Sequence, residues 1–243
     1  MGIRVALPDL DHWKAQVKCQ SGCPVSTDAG RYVQLIAEGR LEDAYLVARA
    51  PNPLASVCGR VCAAPCEDAC RRGAIDAPVS IRALKRHVTE QYGVESVRPD
   101  TQDRLRETGV AEGNRYSGHL PMAFHRTAPA PVTGPRRKVA VIGAGPAGLA
   151  AAHDLALLHY DVTMFEAAAE PGGMMRFGIP EYRLPRTLLA AEIDRIVSLG
   201  VELKLNAPLS SSFGLRHLRE AGFEAVFLSV GVSRGRDLQI PGV

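Results

Sequence analysis

The sequence lacks an apolar run long enough to cross a membrane as a helix. Its most apolar stretch, residues 139–158, is broken by Gly143, Gly145, Pro146 and Gly148, whereas a spanning helix needs about 20 predominantly apolar residues. The N-terminal segment also has no apolar core followed by a small-residue cleavage site, so it does not resemble a signal peptide. We therefore expect no membrane partner and a cytoplasmic location. In a reducing compartment, clustered cysteines more often bind metal than form disulfides.

The sequence also lacks a large excess of positive or negative charge. The 29 Lys and Arg residues nearly balance the 26 Asp and Glu residues, and no segment concentrates the net charge of +3. Binding to a nucleic-acid backbone requires a concentrated basic surface, so we expect no nucleic-acid partner. The seven histidines are scattered and form no H-E-x-x-H or triad-like pattern. No catalytic residue is therefore predicted.

Cysteine is absent from residues 71–243, and all six cysteines lie between positions 19 and 70. Within each of two groups they are spaced by three residues, and no histidine lies among them. Zinc sites commonly use cysteine pairs spaced by two residues and often a histidine. We therefore favour an iron–sulfur cluster bound by thiolates over zinc or a disulfide framework. The predicted metal ligands are Cys19, Cys23, Cys58, Cys62, Cys66 and Cys70.

Apolar periodicity divides the chain into three regions. Residues 1–95 have the pattern of short helices, one capped by Ser26 or Thr27 and another over residues 80–92. Residues 96–137 are punctuated by prolines and indicate a linker with a short helix near residues 102–108. Residues 138–243 alternate strand and helix patterns, which predicts a parallel sheet with helices on its faces. The predicted strands are 138–142, 161–166, 201–205 and 225–230, and the predicted helices between them are 146–158, 188–199 and 215–221.

A glycine-rich turn follows the first predicted strand. Gly143, Gly145 and Gly148 form a G-x-G-x-x-G pattern between that strand and a helix that begins at Pro146. Gly143 permits the tight turn, the missing Cβ of Gly145 lets a pyrophosphate approach the backbone, and Gly148 lets the helix pack on the strand. The N–H groups at the start of the helix then face the phosphates. The pattern predicts a dinucleotide-binding site.

Residues after the second predicted strand indicate which dinucleotide the site binds. Glu166 lies 21 residues after Gly145, where a carboxylate accepts hydrogen bonds from ribose hydroxyls and repels the 2′-phosphate of NADP. The pair Gly172-Gly173 follows the same strand and suits a long dinucleotide such as FAD. NAD and an ordinary type II turn remain open, and Met174 is either part of this site or core filler.

These motifs occur together in a known family. Asn52-Pro-Leu, the four cysteines from Cys58 to Cys70, VAVIGAGPAGLAAA, PGGMMRFGIPEYRLP and Phe227-Leu-Ser-Val-Gly follow one another along the chain. In this order they resemble the small (β) subunit of NADPH-dependent glutamate synthase, and they are similar to the N-terminal part of dihydropyrimidine dehydrogenase. The resemblance implies an α-helical ferredoxin-like iron–sulfur domain over residues 1–95. It also implies an incomplete α/β Rossmann-like FAD-binding domain over residues 138–243, after the linker of residues 96–137.

The resemblance also implies a function and a cofactor site. In such proteins NAD(P)H gives a hydride to FAD, and electrons leave through [4Fe–4S] clusters to a partner subunit or domain. The cysteines would bind the cluster iron. The residues carried over by motif to FAD contacts are Gly143, Ala144, Gly145, Pro146, Ala147, Gly148, Glu166, Gly172, Gly173 and Met174, with Arg183 and Leu209 as weaker matches.

Two features depart from the family pattern. Relatives often carry two further cysteines before the pair that matches Cys19 and Cys23, and residues 11–18 contain none. Relatives can also use a non-cysteine ligand on the following helix, and residues 82–86 offer no good one. We therefore expect one complete cluster rather than two. The sequence ends at Val243, where relatives continue into an NAD(P)H-binding domain, so we expect NAD(P)H to donate through a domain that lies outside this sequence.

The sequence therefore predicts an iron–sulfur flavoprotein oxidoreductase component. It would pass electrons between FAD and a [4Fe–4S] cluster and on to a partner redox subunit or domain. Two alternatives stay open at this point: an NAD-dependent dehydrogenase with a structural zinc domain, and a non-catalytic docking module.

Overall fold

The computed structural model describes residue 12, residues 16–96 and residues 135–232. These residues belong to two compact units. The first unit contains residues 16–96 together with residues 181–195, and the second contains residues 135–180 and 196–232. The helix predicted near residues 102–108 lies outside the described residues. The division predicted from the sequence, with boundaries at residues 95 and 138, stays a prediction.

The described secondary structure of residues 16–96 is helical. The α-helices are α1 (Lys18–Ser21), α2 (Ala29–Ala37), α3 (Leu41–Arg49), α4 (Ala55–Val61), α5 (Pro65–Asp68) and α6 (Ile81–Tyr92). A turn of 3-10 helix, Arg71–Ala74, precedes α6, which is the longest of them. The helix predicted over residues 80–92 is thus confirmed as α6.

Helix α2 begins at a different cap from the one predicted. The Asp28 side chain accepts a hydrogen bond from the Arg31 N–H at 3.0 Å, so Asp28 is the N-cap. The prediction of Ser26 or Thr27 was wrong because aspartate satisfies a first-turn N–H group as well as serine does. Thr27 is buried instead, and Ser26 takes a left-handed backbone conformation with φ of 51°.

The described residues of the second unit form a parallel sheet of four strands, as the alternating pattern predicts. Its strand order is β3-β2-β1-β4, and Val139 pairs with both Val162 and Ala225. From residue 138 onward the elements are β1 (Lys138–Ile142), α7 (Pro146–Leu157), β2 (Asp161–Phe165), α8 (Met174–Phe177), α9 (Arg186–Val197), β3 (Glu202–Lys204), α10 (Leu215–Glu220) and β4 (Ala225–Leu228). Of α9, residues up to Arg195 belong to the first unit. Helix α8 is absent from the sequence prediction because one turn is too short to show a helical period.

Apolar side chains from the sheet and from α10 form the core of the second unit. The cluster contains Ala140, Ile142, Phe165 and Leu218, against which Phe213, Phe223 and Val226 pack. This packing fixes the carboxyl ends of β1 and β2, where the glycine-rich turn and Glu166 follow. Across the described stretches, no helix combines the length and the hydropathy that spanning a bilayer requires.

Candidate metal centre and dinucleotide-binding site

The buried hydroxyl of Tyr32 lies among several cysteine thiols of the first unit. Burial raises its pKa, and three thiol charges raise it further, those of Cys66, Cys23 and Cys19. Burial, followed by the charges of Cys23 and Cys62, likewise raises the pKa of Cys66. All six cysteines are half-buried, and none is in a disulfide. Thiols from separate segments therefore come close enough to influence one another.

Cys58 joins this group from helix α4. Burial raises its pKa, while a hydrogen bond from Asn52 Nδ2 to Cys58 Sγ at 2.9 Å opposes that effect. The charge of Cys62 acts on Cys58 as well. Asn52 Oδ1 accepts the Leu54 N–H at 3.0 Å, which leaves the amide nitrogen to face the sulfur. A donor directed at sulfur stabilises the thiolate, the form that binds metal.

Two more sulfur atoms have hydrogen-bonding partners. The Ala64 N–H donates to Cys62 Sγ at 3.3 Å, and Cys23 Sγ lies 3.6 Å from Thr27 Oγ1. Ala64 has a left-handed backbone with φ of 58°, a conformation that costs free energy for a residue other than glycine. Hydrogen bonds to ligand sulfur are one of the means by which proteins set the potential of an iron–sulfur cluster.

Cys70 has different surroundings. It precedes the 3-10 turn, and a backbone hydrogen bond from Val79 is the largest cause that lowers its pKa. Backbone N–H groups of Arg72 and Gly73 lower the pKa further, while burial raises it. The charges of four predicted ligands, Cys23, Cys58, Cys62 and Cys66, therefore act on one another, Cys19 acts with two of them on Tyr32, and Cys70 lies among backbone groups.

Two glycines allow the cysteine segments to approach one another. A Cβ on Gly22 would lie 2.9 Å from the Cβ of Ala69, so the absence of a side chain lets the Cys19–Cys23 segment contact the end of α5. A Cβ on Gly59 would lie 3.0 Å from the Cα of Arg86, so helix α4 packs closely on α6. Both distances are shorter than ordinary Cβ contacts, so a side chain at either position would force neighbouring atoms to move.

The predicted donor set contains sulfur alone. All six candidate ligands are free, half-buried cysteines, and cysteine thiolates are the ligands of iron–sulfur clusters. Hydrogen bonds from N–H groups reach the sulfur atoms of Cys58 and Cys62. Among the described residues, no three His, Cys, Asp or Glu side chains converge on one point that could hold a single metal ion.

The glycine-rich turn of the second unit has the backbone that the sequence predicts. Gly143 has φ of +100°, and a Cβ there would lie 2.5 Å from the carbonyl oxygen of Ser229. A Cβ on Gly148 would lie 1.9 Å from the carbonyl oxygen of Gly143. Ser229 Oγ donates to the carbonyl oxygens of Ile142 and Gly143, at 2.9 Å and 3.1 Å. Both glycines are therefore required by the protein's own packing.

Gly145 is different, because a Cβ there would overlap no other atom of the protein. The nearest atom to a Cβ at this position would be the Cα of Gly173, at 3.9 Å. The second glycine pair closes on the turn from the other side, where the Gly172 N–H donates to the Ala144 carbonyl oxygen at 2.8 Å. Gly145 is also the N-cap of α7 and offers no side-chain acceptor to its first turn. The two glycine segments thus form a backbone cradle that fits a pyrophosphate.

Glu166 follows β2 and is held beside this cradle. Its Oε2 accepts the Ala144 N–H at 2.7 Å, and its Oε1 accepts the Ala168 N–H at 2.8 Å. Each carboxylate oxygen keeps a second lone pair. A carboxylate fixed in this way can accept a ribose hydroxyl from a dinucleotide whose diphosphate rests on the glycine turn.

The other predicted cofactor residues lie in varied positions. Pro146 and Ala147 form the first turn of α7, and Met174 begins α8 with 65% of its surface exposed. Leu209 is 38% exposed in the second unit, whereas Arg183 is an exposed residue of the segment that belongs to the first unit. Within the second unit, no described hydrogen bond joins Met174 or Leu209 to the glycine turn. The role of these two residues and of Arg183 in FAD binding stays a prediction.

The sequence analysis assigns no role to Glu192, which is buried on α9. Its carboxylate accepts the N–H groups of Ser56 and Val57, each at 3.2 Å, at the start of α4. Burial raises the pKa of Glu192 to about 7, although these N–H groups and the charges of Arg49 and Arg195 lower it. The signal in the sequence is a glutamate at a position of the helical period where an apolar residue is expected.

Comparison with known proteins gives two matching families. Residues 14–96 match the family described as dihydropyrimidine dehydrogenase domain II, 4Fe-4S cluster. Residues 141–185 match the family described as NAD(P)-binding Rossmann-like domain. The two matches coincide with the cysteine segments and with the glycine-rich turn.

Curated relatives match along most of the chain. The NADP(+)-dependent formate dehydrogenase subunit beta of Moorella thermoacetica is 40% identical over 92% of this chain and 31% of that protein. The NAD-dependent dihydropyrimidine dehydrogenase subunit PreT homolog of Salmonella typhi is 36% identical, over 91% of this chain and 47% of that protein. The glutamate synthase [NADPH] small chain of Mycobacterium tuberculosis is 32% identical, over 92% of this chain and 40% of that protein.

The chain thus spans between about a third and a half of the length of these relatives. The resemblance predicted from the sequence is confirmed: the chain is homologous to the glutamate synthase small chain and to related subunits of NAD(P)-dependent oxidoreductases, and its residues 14–96 match the 4Fe-4S domain family of dihydropyrimidine dehydrogenase.

Proposed function

We propose that this chain is an electron-transfer component of an NAD(P)H oxidoreductase that binds FAD in its second unit and a [4Fe–4S] cluster in its first. The observation that carries the proposal is the pair of N–H donors aimed at the sulfur atoms of Cys58 and Cys62, in a unit where the charges of Cys66, Cys23 and Cys19 also act on the buried Tyr32. Cys19, Cys23, Cys58, Cys62 and Cys66 are the candidate ligands of one complete cluster, and Cys70 is the sixth.

FAD is proposed over NAD(P) for the second unit, although the matching family model is described as NAD(P)-binding. The glycine turn serves the diphosphate of either cofactor. Glu166 disfavours NADP because its carboxylate would repel a 2′-phosphate, and the Gly172-Gly173 segment extends the cradle beyond the first turn. Flavin supplies the conversion of a two-electron donor into one-electron steps, while the chain's residues bind the diphosphate and the ribose.

NAD(P)H is the proposed electron donor, through a domain outside the described residues, and a partner redox subunit or domain is the proposed acceptor. The relatives described above are named as subunits or chains of oxidoreductases, which supports this arrangement. A cytoplasmic location is part of the same proposal, because free thiolate ligands persist in a reducing compartment.

The test is to purify the full chain without oxygen and to measure its absorbance, iron, acid-labile sulfide, zinc and flavin. We expect flavin peaks over a broad absorbance that dithionite bleaches, with four irons and four sulfides per complete cluster. A colourless protein that contains zinc and binds NAD would instead support a dehydrogenase with a structural zinc domain. Protein without sulfide and without flavin would contradict the proposal.

A further inference from the structure

Asn52 is a half-buried residue whose side-chain amide faces a predicted ligand sulfur. Its Nδ2 lies 2.9 Å from Cys58 Sγ, and its Oδ1 accepts the Leu54 N–H at 3.0 Å. A backbone N–H group donates to the carbonyl oxygen of an amide and not to its NH2 group, so the contact with Leu54 assigns the amide nitrogen to the sulfur side. The bond between Asn52 and Cys58 is therefore an N–H···S bond in which Asn52 is the donor.

The backbone around this contact holds the two partners in register. The Asn52 N–H donates to the carbonyl oxygen of Arg49, the last residue of α3, at 2.7 Å. Leu54 is buried and joins the two partners: its N–H donates to Asn52 Oδ1, and its carbonyl oxygen accepts the Cys58 N–H at 3.0 Å. Pro53 lies between them, and a proline restricts the backbone of the residue before it. The direction of the Asn52 amide is therefore set by the protein's own contacts.

The charge state of the sulfur decides how much such a donor contributes. A neutral thiol is a weak acceptor, whereas a thiolate accepts a charge-assisted hydrogen bond that is roughly twice as strong as a neutral one. Asn52 and Cys58 are both half-buried, so water competes less for either group than at an exposed position. The donor to Cys62 Sγ is the backbone N–H of Ala64, which a side-chain substitution leaves in place. Asn52 therefore offers a donor to sulfur that a substitution can remove.

We propose that the hydrogen bond from Asn52 to the sulfur of Cys58 raises the reduction potential of the iron–sulfur group that Cys58 holds. The inference rests on the proposed function. A cluster with thiolate ligands carries net negative charge, and reduction adds one electron. A donor directed at a ligand sulfur therefore stabilises the reduced form more than the oxidised form. Asn52 acts through Cys58, as a positioning residue that binds no iron itself.

The experiment compares two variants of the full chain with two controls by anaerobic redox titration of the cluster, followed by electron paramagnetic resonance. Asn52→Ser keeps an oxygen that can accept the Leu54 N–H and removes the donor to sulfur. Asn52→Asp keeps the same acceptor and replaces the NH2 group by a second oxygen. Gln34→Ser and Gln34→Glu make matching changes at an exposed amide of α2, where Gln34 Nε2 donates to Glu38 at 2.9 Å. Iron and sulfide are quantified in each preparation.

We expect Asn52→Ser to lower the reduced-to-oxidised ratio at a fixed potential by about fourfold or more, which equals a shift of about 35 mV for one electron. Asn52→Asp should lower that ratio by about tenfold or more, about 59 mV, because it also places negative charge beside the sulfur. Each Gln34 control should change the ratio by less than about twofold, because solvent screens a change at an exposed position. A decrease in Asn52→Ser no larger than that in Gln34→Ser, or an increase, would overturn the inference.

The outcomes separate this inference from the proposed function. A wild-type chain without iron and sulfide would refute the proposed function itself, whereas a wild type that holds the cluster at the potential of Asn52→Ser would refute only the role of Asn52. If Asn52→Ser loses the cluster, Asn52→Asp decides, because it preserves the acceptor of the Leu54 N–H. A potential of Asn52→Asp below that of Gln34→Glu supports the inference, and an equal potential, or loss of iron and sulfide in both Asn52 variants, refutes it.

Discussion

Replacement of Gly145 by alanine separates cofactor binding from folding. The added Cβ would meet its nearest neighbour, the Cα of Gly173, at 3.9 Å, which is ordinary van der Waals contact. The backbone at Gly145 has φ of −77°, which alanine adopts without strain. Alanine is a poorer N-cap than glycine, which lowers the free energy of unfolding. It also reduces the conformational entropy of the unfolded chain, which raises the free energy of unfolding by a similar amount, about 0.4–1 kcal/mol. We therefore expect stability within about 1 kcal/mol of the wild type.

FAD binding should respond quite differently to the same methyl group. The Cβ would stand where the diphosphate approaches the first turn of α7, so at least one charge-assisted hydrogen bond is lost. Such a bond contributes about 1.5–3 kcal/mol, which corresponds to a roughly tenfold to 150-fold weaker affinity. The measurement is a fluorescence titration of the flavin-stripped full chain with FAD, together with a thermal unfolding curve.

Gly148→Ala is the matched comparison. Its Cβ would lie 1.9 Å from the carbonyl oxygen of Gly143 and 2.7 Å from Ser229 Oγ, an overlap that should cost at least about 3 kcal/mol. This variant should lose both stability and FAD, whereas Gly145→Ala should lose only FAD. If Gly145→Ala bound FAD as tightly as the wild type, the assignment of the cradle to a diphosphate would be wrong.

Three further predictions concern single side chains. The raised pKa of Glu192 means that the stabilising effect of the protonated side chain is complete below pH 4.5 and is lost as the pH rises through about 7, a change of roughly 3 kcal/mol in the free energy of unfolding. In urea unfolding at several pH values, Glu192→Gln should lack this dependence. If the free energy of unfolding changed equally with pH in the variant and the wild type, the prediction would be contradicted. Asn52→Ala should lower the free energy of unfolding by about 1–2 kcal/mol, because the donor to Cys58 Sγ is lost, whereas Gln20→Ala, at an exposed amide, should cost less than about 0.5 kcal/mol. Glu166→Gln should weaken FAD binding by roughly tenfold in the same fluorescence titration, since a neutral amide accepts a ribose hydroxyl less strongly; unchanged affinity would exclude Glu166 from the site.

The sequence predicts the glycine turn and the sheet well because their signals are local. A buried strand, three glycines and a proline at the first helical position occur within a dozen residues, and each has one geometric reason. Glu166 could be predicted for the same reason, since it follows the next strand directly. The structure adds that its two oxygens are held by Ala144 and Ala168, which no local pattern predicts.

The environment of the thiols could not be predicted, because it depends on contacts between distant segments. Asn52 was visible only as part of a family motif, and its bond to Cys58 requires the turn that leads into α4. The burial of Lys85 on α6 beside Tyr32 likewise depends on a tertiary contact, between residues 53 positions apart in the sequence.

Through Glu192, residues 181–195 are hydrogen-bonded to the N-terminal cysteine helices. A polypeptide ending at residue 95 would retain all six cysteines and yet lack the carboxylate that accepts the Ser56 and Val57 N–H groups. The first turn of α4, which leads directly into Cys58, would then lose its buried acceptor. A ferredoxin-sized fragment cut from this chain would therefore be a poorer host for iron than the intact polypeptide, since part of its scaffold is encoded about a hundred residues downstream.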